Sequence, residues 1–228
     1  MPSFEIGAHS RLQIREVCLP RTGYAPTTLL YASDLHLSGW SPHIAAQLVK
    51  AVETVLPDII LLGGDLVDAQ NGLPYLTECI QRMAAICRVW AISGNHDEMV
   101  GLNRVRNCVV AAGAMWLDGT HCHFNGIRID GQCQSAGDEY SILCAHNPAI
   151  FPQAVDDGYD LVLAGHLHGS QCVLFRRDEL LYPGAWFFTW NGDQFRQGRT
   201  TMIVSRGMND TLPARWNCPR EVIVCRIG

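Results

Sequence analysis

The sequence predicts an α/β protein that begins with a parallel β-sheet and ends with a second sheet. In the first half, short apolar runs typical of buried strands alternate with segments whose apolar residues recur at helical spacing, which is the pattern of βαβ units. Beyond Gly113, short β runs separated by glycine and proline turns favour a mainly antiparallel second sheet. The chain has 228 residues, 48% of them hydrophobic, and can bury a full core. We interpret residues 1–228 as a single domain.

The first half is predicted to contain four strands and three helices. The strands are predicted at 12–17, 28–32, 58–62 and 89–92, and the helices at 42–56, 74–86 and 102–112. Ser41 followed by Pro42 indicates a capped helix start, and Pro57 ends the same helix. The buried side of the third helix is predicted to carry Leu102, Val105, Val109 and Ala112.

The second half is predicted to be richer in strands. Asn125-Gly126 is the strongest kind of two-residue turn signal and predicts a hairpin over 121–130. A short helix is expected after Pro148. Further strands are predicted at 140–145, 160–164, 172–175, 202–204 and 222–227.

Charge and composition exclude several classes of protein. The net charge is −5 and the isoelectric point about 5.9, so no basic field exists to hold a nucleic acid, and none is expected as a partner. The ten cysteines follow no recognisable signal segment and form no Cys-x-x-Cys pair, so we expect free thiols. No apolar run approaches the roughly 18 residues of a membrane span. We therefore expect a cytoplasmic protein, with peripheral contact to the inner membrane face left open.

Polar side chains gather where the predicted strands end. They are Asp34 and His36, Asp65, Asn95 and His96, His146, and His166 and His168. The ends of neighbouring parallel strands lie about 4.8 Å apart, so these residues are predicted to converge on one sheet edge despite their separation in sequence.

The number and type of these donors predict two metal ions. With His96 set aside, the seven remaining oxygen or nitrogen donors are too many for one tetrahedral zinc ion and too poor in carboxylates for calcium. Imidazole, carboxylate and amide oxygen together suit manganese, iron or zinc. Two such ions that share a carboxylate fit this set better than one.

With these blocks in order, the chain resembles the calcineurin-like metallophosphoesterases over 29–227. The matching blocks are Asp34-Leu35-His36, Gly64-Asp65, Gly94-Asn95-His96-Asp97, His146 and Gly165-His166-Leu167-His168. The resemblance implies a four-layer α/β/β/α sandwich of two mixed β-sheets flanked by helices. It also implies a first metal held by Asp34, His36 and His168, a second held by Asn95, His146 and His166, and Asp65 as the bridge between them.

The same resemblance implies an activity. A two-metal-dependent phosphoesterase of this kind hydrolyses a phosphodiester or pyrophosphate bond by attack of a metal-bridging hydroxide. His96 would be the general acid, and Asp68 would orient it, although a helix N-cap is the alternative for Asp68. A phosphomonoesterase of the same fold and a catalytically silent metal-binding scaffold are the alternative functions. Because the chain keeps His96 and every ligand, we favour the enzyme.

The C-terminal part resembles the small bacterial phosphodiesterases related to UDP-2,3-diacylglucosamine pyrophosphatase, which implies a small phosphoester, nucleotide-sugar or lipid substrate. Arg206 and Arg215 are candidates for binding a substrate phosphate, with a surface salt bridge as the alternative. The aromatic stretch 184–195 could form an apolar wall for an acyl or nucleoside group, but core packing is favoured. His121 and His123 are predicted to lie on the surface, and His9 and His43 outside the site.

Overall fold

The computed structural model of the protein describes residues 3–6, 12–21, 25–210 and 214–228. The helices are α1 (Pro42–Val55), α2 (Leu73–Ala84), α3 (Asn95–Val100), α4 (Leu102–Ala111) and α5 (Phe151–Asp156). The first eight strands are β1 (Phe4–Ile6), β2 (Gln13–Leu19), β3 (Thr27–Ala32), β4 (Ile59–Gly63), β5 (Arg88–Ile92), β6 (Met115–Trp116), β7 (His121–Phe124) and β8 (Ile127–Asp130). The others are β9 (Tyr140–Cys144), β10 (Leu161–Ala164), β11 (Val173–Arg177), β12 (Leu180–Pro183), β13 (Gln194–Gln197), β14 (Thr200–Val204), β15 (Ala214–Trp216) and β16 (Glu221–Ile227). His9 lies outside the described residues.

The first sheet contains the predicted βαβ units. Its six strands lie in the order β2-β16-β3-β4-β5-β6. Strands β3 to β6 are parallel, and helices lie in the connections between them. The predicted alternation of strand and helix is therefore confirmed for this half of the chain.

The second sheet is mixed, with the strand order β13-β14-β10-β9-β8-β7. Its three inner pairings are parallel and its two outer pairings antiparallel, so the expectation of a mainly antiparallel sheet was wrong. The β7–β8 hairpin around Asn125 is confirmed. The run 222–227, expected here, forms β16 inside the first sheet, where both of its faces are buried. The run that begins at 172 forms a separate ribbon of β11 and β12.

Two sheets and their helices form the four layers that the resemblance implied. Alternate residues of each central strand face different cores, as the two-residue period requires. In β4, Ile60 faces a core shared with α1, α2 and α4, whereas Leu61 faces the core between the two sheets. In β10, Val162 faces a third core that includes Phe151 of α5. Strands buried on both faces explain the uninterrupted apolar runs of the sequence.

Four local predictions need correction. The Ser41 side chain does not cap α1 and instead accepts a hydrogen bond from Ser38 N at 3.0 Å. Leu102, predicted to be buried, is 36% exposed because it is the first residue of α4. Helix α2 ends at Ala84, two residues earlier than predicted. The block at Asn95, expected to be a turn, begins the short helix α3.

Two further expectations concern single residues and the membrane. All ten cysteines are free, as predicted. Among the described residues, no helix has the length and hydropathy that crossing a bilayer requires.

A buried ionic network joins the two sheets at one edge. Arg15 of β2 contacts both oxygens of Glu221, at 3.1 and 3.0 Å, and donates to Val204 O of the second sheet at 2.8 Å. Arg206 also pairs with Glu221. Glu221 is fully buried, so each of these charges depends on the others for compensation.

We expect Glu221→Gln to lower the free energy of unfolding by about 3 kcal/mol or more, because it leaves two guanidinium groups without their buried partner. The control is Glu53→Gln, which breaks an ion pair with Arg82 in which both side chains are 50% exposed and should cost about 1 kcal/mol at most. Urea unfolding monitored by circular dichroism measures both. Equal losses in the two variants would contradict the structural role of the network.

Candidate metal centre

The predicted ligands meet where the strands of both sheets end. Asp34, Asp65 and Asn95 follow β3, β4 and β5 of the first sheet, whereas His146 and His166 follow β9 and β10 of the second. The expectation that a single sheet edge carries all of them was therefore wrong. The carboxyl ends of two packed sheets combine to form the centre.

The first group of candidate ligands consists of Asp34, His36 and His168, whose possible ligand atoms lie within 4.8 Å of one another. The Nε2 atoms of the two histidines are 3.2 Å apart, and His168 Nε2 is 3.5 Å from Asp34 Oδ1. The opposite ring nitrogens face carboxylates: His36 Nδ1 contacts Asp68 at 2.6 Å and His168 Nδ1 contacts Asp210 at 3.2 Å. Carboxylates only accept hydrogen bonds, so each Nδ1 carries the hydrogen and the facing Nε2 atoms present lone pairs.

The second group is built around His146. Its Nδ1 lies 2.9 Å from the carbonyl oxygen of Gly63, which fixes a hydrogen there and makes Nε2 the nitrogen that could bind a metal. That Nε2 lies 3.2 Å from Asp65 Oδ2, from Asn95 Oδ1 and from His166 Nδ1. Four possible ligand atoms therefore lie close enough together to surround one cation.

Asp65 lies between the two groups. Its Oδ2 is 3.2 Å from His146 Nε2 and 3.8 Å from His36 Nε2. Its Oδ1 accepts a hydrogen bond from His96 N at 2.8 Å. Asp65 therefore has the location expected of a carboxylate shared by two ions.

The residues present fit divalent transition metals. Imidazole nitrogens, carboxylates and an amide oxygen are the donors that manganese, iron and zinc accept in proteins. A metal-binding histidine also usually donates the hydrogen of its other ring nitrogen to a carboxylate or carbonyl oxygen, because this contact fixes the tautomer and the orientation of the ring.

The electrostatics of the protein favour positive charge in the second group. Burial lowers the pKa of His146, but the hydrogen bond to Asp65 and the charges of Asp34 and Asp65 outweigh it and raise the pKa to about 9. Burial raises the pKa of Asp65, but His146 more than reverses this and the pKa falls to about 2. Burial and the neighbouring His146 lower the pKa of His166.

The backbone of the ligand loops is strained. Most non-glycine residues avoid positive φ, yet five predicted ligands adopt it, namely Asp34 (56°), His36 (41°), Asp65 (51°), His166 (71°) and His168 (51°). Each of these residues comes within a few positions of a strand end. The left-handed conformation turns the chain sharply there, and strain of this kind is concentrated at functional sites.

Two glycines permit the loops to approach each other. A Cβ atom on Gly94 would lie 2.2 Å from Asp65 Oδ1, and one on Gly165 would lie 2.5 Å from Asp34 Oδ2. Both distances are far below a van der Waals contact. The glycines in the Gly-Asn-His and Gly-His blocks are therefore required by packing against the ligand carboxylates.

His96 lies beside the ligands and pairs with Asp68. Its Nδ1 is 2.8 Å from Asp68 Oδ1, the same oxygen that contacts His36 Nδ1. The two rings are edge to face with centroids 4.6 Å apart. The alternative that Asp68 caps a helix was wrong, because Ala69 is the residue before the next helical turn.

Arg206 and Arg215 lie behind the ligands. The alternative of a surface salt bridge was right about the ion pairs and wrong about their location, because the two side chains are only 5% and 2% exposed. Arg215 pairs with Asp210, and Arg206 pairs with Glu221. Neither guanidinium faces solvent, so this placement does not support direct contact with a substrate phosphate.

The aromatic stretch 184–195 divides into two parts. Trp190 and Phe195 pack against the core beside α5, as predicted. Core packing was the wrong expectation for three others, Trp186, Phe187 and Phe188, which are 65%, 78% and 51% exposed. The turn that contains Trp186 begins at Gly184, where a Cβ would lie 2.0 Å from Ser170 Oγ, so this turn packs against the loop that carries His168.

The remaining histidine predictions concern the surface. His121 and His123 are exposed on the edge strand β7, as predicted. His123 pairs there with Glu139 at 3.1 Å.

Sequence reasoning missed two acidic residues that support the centre. Asp97 accepts hydrogen bonds from Gly94 N, Leu66 N and Val67 N at 2.9 to 3.1 Å, which ties the Asp65 loop to α3. Its place three residues after the N-cap is a recognisable capping signal. Asp210 contacts His168, and no motif in the sequence marked it.

Comparison with known proteins agrees with this geometry. An uncharacterized metallophosphoesterase of Aquifex aeolicus is 33% identical over 64% of this chain and 64% of its own length. The phosphodiesterase YaeI of Escherichia coli is 30% identical over 64% of this chain and 62% of its own length. The uncharacterized metallophosphoesterase YkoQ of Bacillus subtilis is 27% identical over 63% and 61%. The aligned region thus spans just under two thirds of these relatives.

A solved structure shares the fold. The protein TT1561 of Thermus thermophilus superimposes with a TM-score of 0.51 at 11% identity, over 81% of this chain and 91% of that one. The family model described as calcineurin-like phosphoesterase matches residues 27–170, which is more than half of the chain and includes every predicted ligand. The chain therefore belongs to the calcineurin-like phosphoesterase family.

Proposed function

We propose that the chain is a single catalytic domain that hydrolyses a phosphodiester or pyrophosphate bond with two divalent metal ions. The observation that carries the proposal is the His96–Asp68 pair at 2.8 Å, which forms a third cluster of possible ligand atoms with His36, next to the two groups described above. Ligands alone would serve a binding protein equally well. A histidine that is oriented by a carboxylate and 26% exposed is what the departure of a leaving group requires.

The first group would hold one ion, and Asn95, His146 and His166 the other, with Asp65 shared. When bound, two divalent ions lower the pKa of water toward neutrality and neutralise charge on phosphoryl oxygens. The chain's own contribution is to position these ligands and to supply a proton. Manganese, iron and zinc all match the donors.

His96 would protonate the departing oxygen. Asp68 accepts the hydrogen of Nδ1, so Nε2 is the nitrogen that exchanges a proton with substrate. Asp68 also stabilises the charged imidazole. Arg206 and Arg215, whose guanidinium groups pair with Glu221 and Asp210, would support the ligand loops instead of binding substrate.

The substrate is proposed to carry an apolar group. Trp186, Phe187 and Phe188 expose aromatic surface on a turn that packs against the His168 loop, so an acyl or nucleoside group could contact them while the phosphate occupies the centre. A relative named as a phosphodiesterase is consistent with a diester substrate.

The bridging assignment predicts the effect of Asp65→Asn on metal content. This variant should lose affinity for both ions, because Asp65 lies 3.2 and 3.8 Å from histidines of different groups. His166→Ala should weaken only one. Chelation should abolish hydrolysis in the wild-type protein, and Mn²⁺ should restore it. Elemental analysis after dialysis measures the ions per chain, and Asp65→Asn with one ion at full occupancy would contradict the shared role.

The general-acid assignment predicts losses that depend on the leaving group. A nitrophenolate departs without a proton, but an alkoxide does not. His96→Asn should therefore cost little with a nitrophenyl diester and about 10²- to 10⁴-fold in kcat with an alkyl leaving group. Steady-state rates over esters of graded leaving-group pKa measure this, with metal content determined on the same samples. An equal loss with every ester would show that His96 positions substrate or metal.

The exposed aromatic residues of the turn that contains Trp186 predict that KM depends on the length of the substrate's alkyl group. KM of the wild-type protein should fall as the alkyl group of a phosphodiester lengthens, and the Trp186→Ala/Phe187→Ala double variant should flatten that trend with kcat little changed. Met115→Ala, at an exposed apolar position at the start of β6, is the control and should keep the wild-type trend. If KM still fell with alkyl length in the double variant, the proposal that these aromatic residues bind an apolar group of the substrate would be wrong.

A further inference from the structure

One segment near the C terminus packs against the loop that carries the first group of ligands. Asn209 N donates to Asp34 O at 2.9 Å, and Asn209 Nδ2 donates to His36 O at 3.1 Å. Met208 N donates to Ser33 O at 3.1 Å. Three hydrogen bonds therefore fix this segment beside the ligands, so the residue that follows it has a defined position.

That residue is Asp210, which contacts His168. Its Oδ1 lies 3.2 Å from His168 Nδ1, on the side of the ring opposite to the nitrogen that faces Asp34. The contact selects the tautomer with the hydrogen on Nδ1, which is the form that binds a metal through Nε2. It also restrains rotation of the ring.

Arg215 holds Asp210 with two hydrogen bonds. Its Nε donates to Oδ2 at 2.7 Å and its Nη2 to Oδ1 at 2.5 Å. Further donors bind Cys218 O at 3.1 Å and Arg206 O at 2.7 Å. The Arg215 side chain is 2% exposed and that of Asp210 is 9% exposed. A buried two-bond pair fixes both position and charge of the carboxylate.

We infer that Asp210 is a positioning residue for His168, and that Arg215 acts through Asp210, so that these two residues determine how firmly the first group of ligands holds its metal ion. The inference rests on the two-metal function proposed above. Its effect falls on one ion only, because His146 of the second group is oriented by the carbonyl of Gly63 instead of a carboxylate.

The test is Mn²⁺ binding to Asp210→Asn, measured by equilibrium dialysis against the wild-type protein. The variant should bind one of its two ions about 10- to 100-fold more weakly, the usual cost of losing such a support, and the other ion unchanged. The affected ion should be the one that His168→Ala loses. Wild-type affinity for both ions, or an equal loss of both, would overturn the inference.

Asp160→Asn is the matched control. Asp160 also forms a two-bond pair with an arginine, Arg199, at 3.0 and 2.5 Å, but it precedes β10 and lies at the opposite end of that strand from His166. It should keep both ions at wild-type affinity. A loss of Mn²⁺ in this variant as large as in Asp210→Asn would overturn the inference, because any aspartate paired with an arginine would then have the same effect.

A second measurement does not require the Asp210 variant to fold. In metal-free wild-type protein at alkaline pH, ¹⁵N spectra of the histidine rings should show His168 protonated on Nδ1, with His168→Ala providing the assignment. Protonation on Nε2 would overturn the inference. Neither measurement uses hydrolysis, so a wild-type protein that binds two Mn²⁺ ions but cleaves no phosphoester would overturn the proposed function alone.

Discussion

The centre depends on two sheets packing with the carboxyl ends of their strands on the same side. Hydrogen bonds fasten the sheets together at that point: His166 N donates to Asp34 Oδ1 at 3.0 Å, and the His146 ring contacts Gly63 O at 2.9 Å. Each bond joins a residue of one sheet to a residue of the other. A small shift of one sheet would therefore separate the two halves of each ligand group.

This arrangement is costly for the protein alone. The Nε2 atoms of His36 and His168 crowd each other at 3.2 Å, and five of the predicted ligands adopt left-handed backbone at about 1 kcal/mol or more each. A domain is stable by only about 5 to 15 kcal/mol, so this strain is a substantial fraction of the total. The strained loops persist because hydrogen bonds from the surrounding structure hold them in place. Asp97 binds the backbone of the loop that carries Asp65, and Asn209 binds the backbone of the loop that carries Asp34. Bound cations would relieve the remaining repulsion.

The sequence predicts those features of the structure that depend on residues close together in the chain, and it does not predict contacts between distant segments. Strand ends followed by Asp34 or Asn95 are local patterns, so the strands of the first sheet and the convergence of the ligands were predictable. Pairing partners are not local: nothing within 222–227 indicates that it lies between β2 and β3. The sequence could not reveal the supporting role of Asp210 either, because a carboxylate that contacts a metal-binding histidine has no fixed distance from it along the chain. The sequence singles out Arg215 but not its partner Asp210, so it leaves substrate binding and a salt bridge as alternatives that only the structure separates.

The shared carboxylate of Asp68 couples the acid to the ligands. One oxygen contacts His36 Nδ1 at 2.6 Å and His96 Nδ1 at 2.8 Å, so the histidine that would bind metal and the histidine that would donate the proton compete for the same charge. His36 and His96 therefore depend on the same oxygen of Asp68 for their orientation, and a displacement of that oxygen toward one ring would weaken its contact with the other. A substitution at Asp68 would therefore disturb the orientation of the predicted ligand His36 and of the proposed acid His96 together. Only a change at His96 itself separates the two roles.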